Sequence, residues 1–137
     1  MGTPFQQLYD RFFSKTDEDF TGKEGLVFAL VDSAISKSYK TVRHSLEYVL
    51  TDSNTYDGYF IDDLDNDEIE LLSLWMLYEF NRREQQRLVK LKEFIGTKDF
   101  NKLPDKLDQL RVVEISMKTI INDINDLKDS FNTYKYN

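Results

Sequence analysis

A chain of 137 residues, 40% hydrophobic and 31% charged, has the profile of one folded domain and not of a disordered chain. Its net charge of −7 argues against a compact nucleic-acid binder, which needs a basic face. The lack of cysteine excludes disulfides, thiol catalysis and cysteine-ligated zinc together.

Met1 to Phe13 lacks the apolar run of a signal peptide, so classical export is not expected. In its place Phe5, Leu8, Tyr9 and Phe12 recur at helical spacing, predicting a short helix over Phe5–Phe13. Thr3 can cap it, with Pro4 at its first position. Ser14–Thr21 is polar and acidic and reads as a loop. From Lys23 to Tyr39 a broad stripe of Leu26, Val27, Leu30, Val31, Ala34 and Ile35 predicts a second helix. Beyond Thr41, Val42, Leu46 and Val49 can continue a helix that stops at Thr51-Asp52-Ser53-Asn54. Tyr56–Phe60, with Gly58 inside, reads as irregular or extended.

The clearest helix start lies at Asp65, an N-cap with Glu68 placed three residues on, as in a capping box. Asp67, Glu68 and Glu70 then sit where the helix dipole favours acids. Ile69, Leu72, Trp75, Met76, Tyr78 and Phe80 make this helix apolar nearly all round, hence central. The stretch Ile69–Phe80, broken by Glu70, Ser73 and Glu79, is too short to span a membrane. Composition turns polar near Asn81, and Glu84–Ile95 reads as a separate fourth segment closing on Gly96. Thr97–Leu103 is a connector. Pro104 opens the last helix, in which Leu107, Leu110, Val113, Met117, Ile120, Ile124, Leu127 and Phe131 form a heptad-like seam. After Phe131 the aromatic residues change to a spacing of two, which suits an extended tail adding a strand to another sheet. The expected fold is therefore all-α: one helical domain over 1–137, a bundle with a long C-terminal helix and an extended aromatic tail at 131–137. Removing that tail is expected to spare the fold.

No constellation for chemistry assembles. Asp63, Asp65 and Asp67 match the first positions of a calcium loop, but Glu68 stands where the turn glycine belongs and Leu74 where the bidentate glutamate belongs. A capped helix start explains these acids better. His44, the only histidine, has no nucleophile motif around it and reads as a surface or partly buried side chain. Glu70 and Glu79 are separated by ~13 Å along a helix, too far for a carboxylate pair, and read as solvated edges. No catalytic, metal or cofactor residues are assigned, and no cofactor is expected. Arg82, Arg83 and Arg87 fit either a solvated face or contact with an acidic partner. Tyr134 and Tyr136, with Phe131, offer large contact area at low entropic cost and are the candidate partner-binding residues.

Several stretches resemble a family of small helical proteins encoded among the virion structural genes of tailed bacteriophages, especially phages of Gram-positive hosts. They are Leu8-Tyr9-Asp10-Arg11-Phe12-Phe13, then Asp62 through Ser73 with Met76 and Glu79-Phe80, then Gly96-Thr97-Lys98-Asp99-Phe100 and Leu107-Asp108-Gln109-Leu110-Arg111. The chain ends in Thr133-Tyr134-Lys135-Tyr136, where the family tends to have Tyr-Ser-Tyr. It departs from the family at Phe80-Asn81, often Trp-Leu, and little is similar between Lys40 and Ile61. The resemblance implies a head–tail connector, or adaptor, in the virion neck, made in the host cytoplasm. Such a subunit forms a ring with itself, commonly a dodecamer, beneath the portal protein. Other neck and tail proteins are further partners, DNA passes only as cargo, and no enzymatic role follows. In that setting Asp62, Asp63, Arg82, Arg83 and Arg87 are candidate interface or lumen charges, since carboxylates repel passing phosphate. The alternative is a small acidic phage protein that regulates or grips a host protein, which would remain a monomer or dimer.

Overall fold

The structure, a computed structural model, describes the backbone of residues 2–136 and the side chains of residues 2–131. In chain order the elements are β1 (Thr3–Pro4), α1 (Phe5–Phe13), α2 (Glu24–Ser38), β2 (Tyr48–Asp52), β3 (Asp57–Phe60), α3 (Asn66–Ile95), α4 (Thr97–Phe100) and α5 (Pro104–Tyr136). The fold is mostly helical with a long C-terminal helix, but it is not all-α. A small antiparallel sheet of order β1-β3-β2 packs beside α1.

That sheet corrects the reading of the region after Thr41. Helix does not continue there: 42–47 is loop and Tyr48–Asp52 is strand β2. Asp52 turns the chain into β3. Its Oδ1 accepts the N–H of Asn54 at 2.8 Å and that of Thr55 at 3.4 Å, an Asx-type turn that competes with helix. Tyr56 then adopts a left-handed conformation (φ 58°), held by its ring stacked on Phe28 at 5.0 Å and by its carbonyl, which accepts the Tyr9 hydroxyl at 2.8 Å. Tyr48 pairs with Phe60 and Val49 with Tyr59, so alternate residues face in and out, with a bulge between Leu50 and Asp52. Gly58 is required in β3: a Cβ there would meet the Val49 carbonyl oxygen at 2.3 Å. The inward rings Tyr48 and Phe60 flank Phe5 of α1, with centroids 5.4 and 4.9 Å away.

Thr3 does not cap α1. It lies in β1, opposite Phe60, and its hydroxyl accepts the Leu64 N–H at 2.8 Å and donates to the Asp62 carbonyl at 3.2 Å. Pro4, extended, takes the N-cap position instead. The polar change near Asn81 does not end a helix either. α3 runs unbroken for 30 residues, ~45 Å. Asn81 donates to the Ser116 hydroxyl of α5 at 3.1 Å, so its polarity serves a helix–helix contact. Gly96, at φ 90°, closes α3 as read from sequence, and α4 follows within the connector, burying Phe100.

α3 and α5 are antiparallel. Leu88 packs with Leu110 near the connector, while Ile120, Ile124 and Phe131 join the main core with Leu71, Leu72 and Trp75. The two helices thus leave the main body as an arm with a small core of its own: Leu88, Phe100 and Leu110, flanked by Leu91, Ile95 and Leu107. The seam along α5 faces inward as its spacing required, but incompletely. Leu110, Ile120, Ile124 and Phe131 are buried, and Leu107, Val113, Met117 and Leu127 are half-buried. Phe131 is a helical core residue and not the first residue of a projecting tail. The backbone stays helical through Tyr136, so the segment expected to be extended at 131–137 continues α5 as far as it is described. The side chains beyond Phe131, those of Tyr134 and Tyr136 among them, lie outside the described residues.

Candidate functional site

The densest polar cluster forms where the loop 39–47 meets the start of α3. Asp65 and Glu68 make the capping box, Glu68 Oε1 accepting the Asp65 N–H at 2.9 Å. The same carboxylate serves the loop. Its Oε2 accepts the N–H groups of Arg43 and His44, each at 2.9 Å, and its Oε1 meets His44 Nδ1 at 2.6 Å. Glu68 is fully buried, whereas the His44 side chain is 38% exposed. Arg43 pairs with Asp65 at 2.7 Å and lies over the Phe131 ring at 4.9 Å. One buried carboxylate therefore ties the loop to α3, and Arg43 extends the tie to α5.

His44, Asp65 and Glu68 offer ligand atoms all within 4.8 Å of one another. The Glu68 oxygens are already engaged by N–H donors, and the guanidinium on Asp65 opposes a cation there. The trio is a structural clasp. Its hydrogen bond to Glu68, helped by the negative fields of Glu68, Asp65 and Asp62 and opposed by slight desolvation, raises the His44 pKa. The sign follows: protonated His44 stabilises the fold fully below about 6.5, its unfolded value, and that contribution is lost as pH rises through the higher folded value. Melting temperature measured from pH 5 to 9 is therefore expected to fall more for wild type than for His44→Gln across neutral to alkaline pH. Parallel curves would mean that the imidazole charge adds nothing.

The candidate interface charges are each engaged within the subunit. Asp62 accepts the Ser45 N–H at 2.9 Å. Asp63 accepts the Gly2 N–H at 2.7 Å, and this bond lowers its pKa. Arg82 grips Glu79 with two bonds of 2.7 and 2.8 Å, and Arg83 reaches the same carboxylate at 3.5 Å. Arg87 pairs with Glu84 at 2.8 Å. All three guanidinium groups keep outward surface. Glu79 is the correction here: it is buried, not a solvated edge, and Arg82 holds its carboxyl below the usual range.

What the sequence reading missed is apolar surface on the arm. Phe94 is 88% exposed, Val112 and Ile115 are each 65% exposed, and Leu103 is 40% exposed. Val112 and Ile115 lie three apart on one face of α5, off the seam. Their departure from the seam register was the available signal. Val112 also lines a groove of about 650 Å³ between α3 and α5, with Phe80, Leu88 and Val113.

Among the described residues no helix is long and apolar enough to cross a membrane. Fold and surface define a mostly helical protein whose two-helix arm displays apolar side chains beyond its own small core. Compared with protein-family models, curated proteins and solved structures, the chain matches none of them.

Proposed function

We propose that the chain is a virion structural subunit, a head–tail connector or adaptor that forms a ring beneath the portal and joins capsid to tail. The sequence resemblance supplies the family. The observation that carries an assembly role is the exposure of Phe94, Val112 and Ile115 on an arm whose interior is already filled by Leu88, Phe100 and Leu110. Large apolar side chains left exposed, Phe94 on α3 and the pair Val112 and Ile115 on one face of α5, favour burial against another chain. Neighbouring copies cover the arms, and the tail with Tyr134 and Tyr136 docks on the portal or a neighbouring ring. The subunit needs no catalytic residue for this, because association energy alone performs the work.

Sedimentation velocity of the purified chain, alone and mixed with its portal, tests the reading. The expected result is a large symmetric oligomer in at least the second case. Val112→Lys combined with Ile115→Lys is expected to abolish that species while leaving the melting temperature within a few degrees, since exposed substitutions change stability by only about 0.5 kcal/mol. A chain that stays monomeric or dimeric at high concentration and beside portal overturns the reading and favours the small acidic regulatory module.

A further inference from the structure

A second surface, remote from the arm, carries its own chemistry. A cleft of about 640 Å³ opens between α1, the loop 14–23, the start of α2 and the tip of the β2–β3 hairpin. Three rings from two elements form its floor. Tyr9 and Phe13 lie one turn apart on α1, 6.4 Å between centroids, and Phe13 stacks on Phe20 of the loop at 5.7 Å. Phe13 keeps 39% of its surface exposed in a row otherwise built as core. The walls carry four carboxylates, Glu18, Asp19, Glu24 and Asp57, and among the described residues no lysine or arginine lines the cleft.

Two of the local cations are directed elsewhere, and a third, Lys23, acts on Asp19 of the cleft wall. Arg11 and Lys15 of α1 turn to Glu70 on α3, at 3.8 and 2.6 Å. Lys23 lies near enough to Asp19 to act on it, while Asp19 Oδ1 is held by both the N–H and the hydroxyl of Thr21. Glu18 and Glu24, both exposed, form no ion pair among the described residues. Asp57 places its charge close to the Tyr9 ring, whose hydroxyl is pushed up to about 12 by burial first and by Asp57 second. Tyr9 therefore stays a neutral ring, and its face remains negative in quadrupole terms.

We propose that this cleft is a docking site for an arginine or lysine side chain carried on a partner protein segment. Ring faces and carboxylates attract the same ligand by two routes. A guanidinium can pack on the exposed part of the Phe13 ring and direct its edge N–H groups to Glu18 or Glu24. At about 640 Å³ the cleft has room for more than one side chain, which suits a segment and not a single free residue. The complementarity is one-sided: an acidic or purely apolar segment would leave four carboxylates facing like charge or hydrocarbon. This inference does not depend on ring formation, since every residue belongs to one subunit.

Calorimetric titration of the full chain at low salt is the test. The probe is a capped seven-residue peptide with two arginines among glycines, and the control replaces both arginines by citrulline, of equal shape without charge. The arginine peptide is expected to bind, and the citrulline peptide to bind at least about tenfold more weakly. Glu18→Gln with Glu24→Gln is expected to weaken the arginine peptide by about tenfold, and Phe13→Ala by several-fold. Both glutamates are exposed, so that double variant keeps the fold and its melting temperature confirms it. The proposal is overturned by absence of binding at millimolar peptide, by equal affinity for both peptides, or by an unchanged affinity in the double glutamate variant. Free arginine amide binding as tightly as the peptide also overturns it, because the cleft would then take a small cation and not a partner segment.

Discussion

Glu68→Ala is expected to lower the unfolding free energy by about 3–5 kcal/mol, a large fraction of what a domain of this size possesses. The side chain is fully buried and its two oxygens receive the N–H groups of Asp65, Arg43 and His44 together with the His44 ring. Alanine leaves three backbone donors without an acceptor, at about 1 kcal/mol or more each, and removes half of the capping box. Glu68→Gln separates shape from charge. It fits the same space but turns an NH2 group toward donors, so it is expected to recover only part of the loss. Denaturant unfolding near pH 6 measures both. Amide exchange locates the damage: faster exchange at Arg43 and His44 beyond the global change would mean that the loop detaches first. A loss below about 1 kcal/mol for alanine would show that the loop is held by its apolar contacts, Val42 and Leu46, and not by the carboxylate.

The capping box was legible because its signal is local: Asp65 and Glu68 lie three residues apart and need no third element. The same holds for α1, whose period of three to four residues is complete within nine positions, and for Gly96. The hairpin was not legible for the opposite reason. Val42, Leu46 and Val49 are spaced as a helix would space them, but the first two belong to a loop and only the third to a strand. What decided the matter was Phe5, whose ring takes Tyr48 and Phe60 as neighbours from more than forty positions away. Long-range packing of that kind overrides local spacing. Asn81 misled similarly. Its polarity marks a break in a solvated helix, yet here it meets Ser116 across an interface. Of the functional surfaces, the acids were visible as composition. Their placement was not: Asp62, Asp63 and Glu79 are each taken up by specific donors within the subunit, while Glu18 and Glu24 face an aromatic cleft that only the fold assembles.

Phe131→Ala is the second large effect, expected to cost about 3–5 kcal/mol, the range for removing a buried aromatic ring. A frayed end or a projecting tail would predict almost nothing at this position. The ring is 1% exposed, belongs to the main core, and carries the Arg43 guanidinium on its face at 4.9 Å. Arg43 is in turn paired with Asp65, so the loss reaches the clasp that holds the loop 39–47. Phe131→Leu keeps most of the volume and loses the aromatic face, and its cost is expected to be about 1–1.5 kcal/mol. Removal of 131–137 then destabilises the subunit at least as much as the alanine variant, which reverses the expectation that this segment is dispensable to folding. The distinction matters for testing assembly. A truncation that deletes Phe131 weakens fold and association together, whereas one that begins at Asn132 leaves the ring in place and isolates the contribution of Tyr134 and Tyr136. Guanidinium denaturation of the alanine variant decides between core and tail: a midpoint equal to wild type would free Phe131 to dock elsewhere, and a midpoint shifted by the full amount fixes it as the residue that closes α5 against the loop and α3.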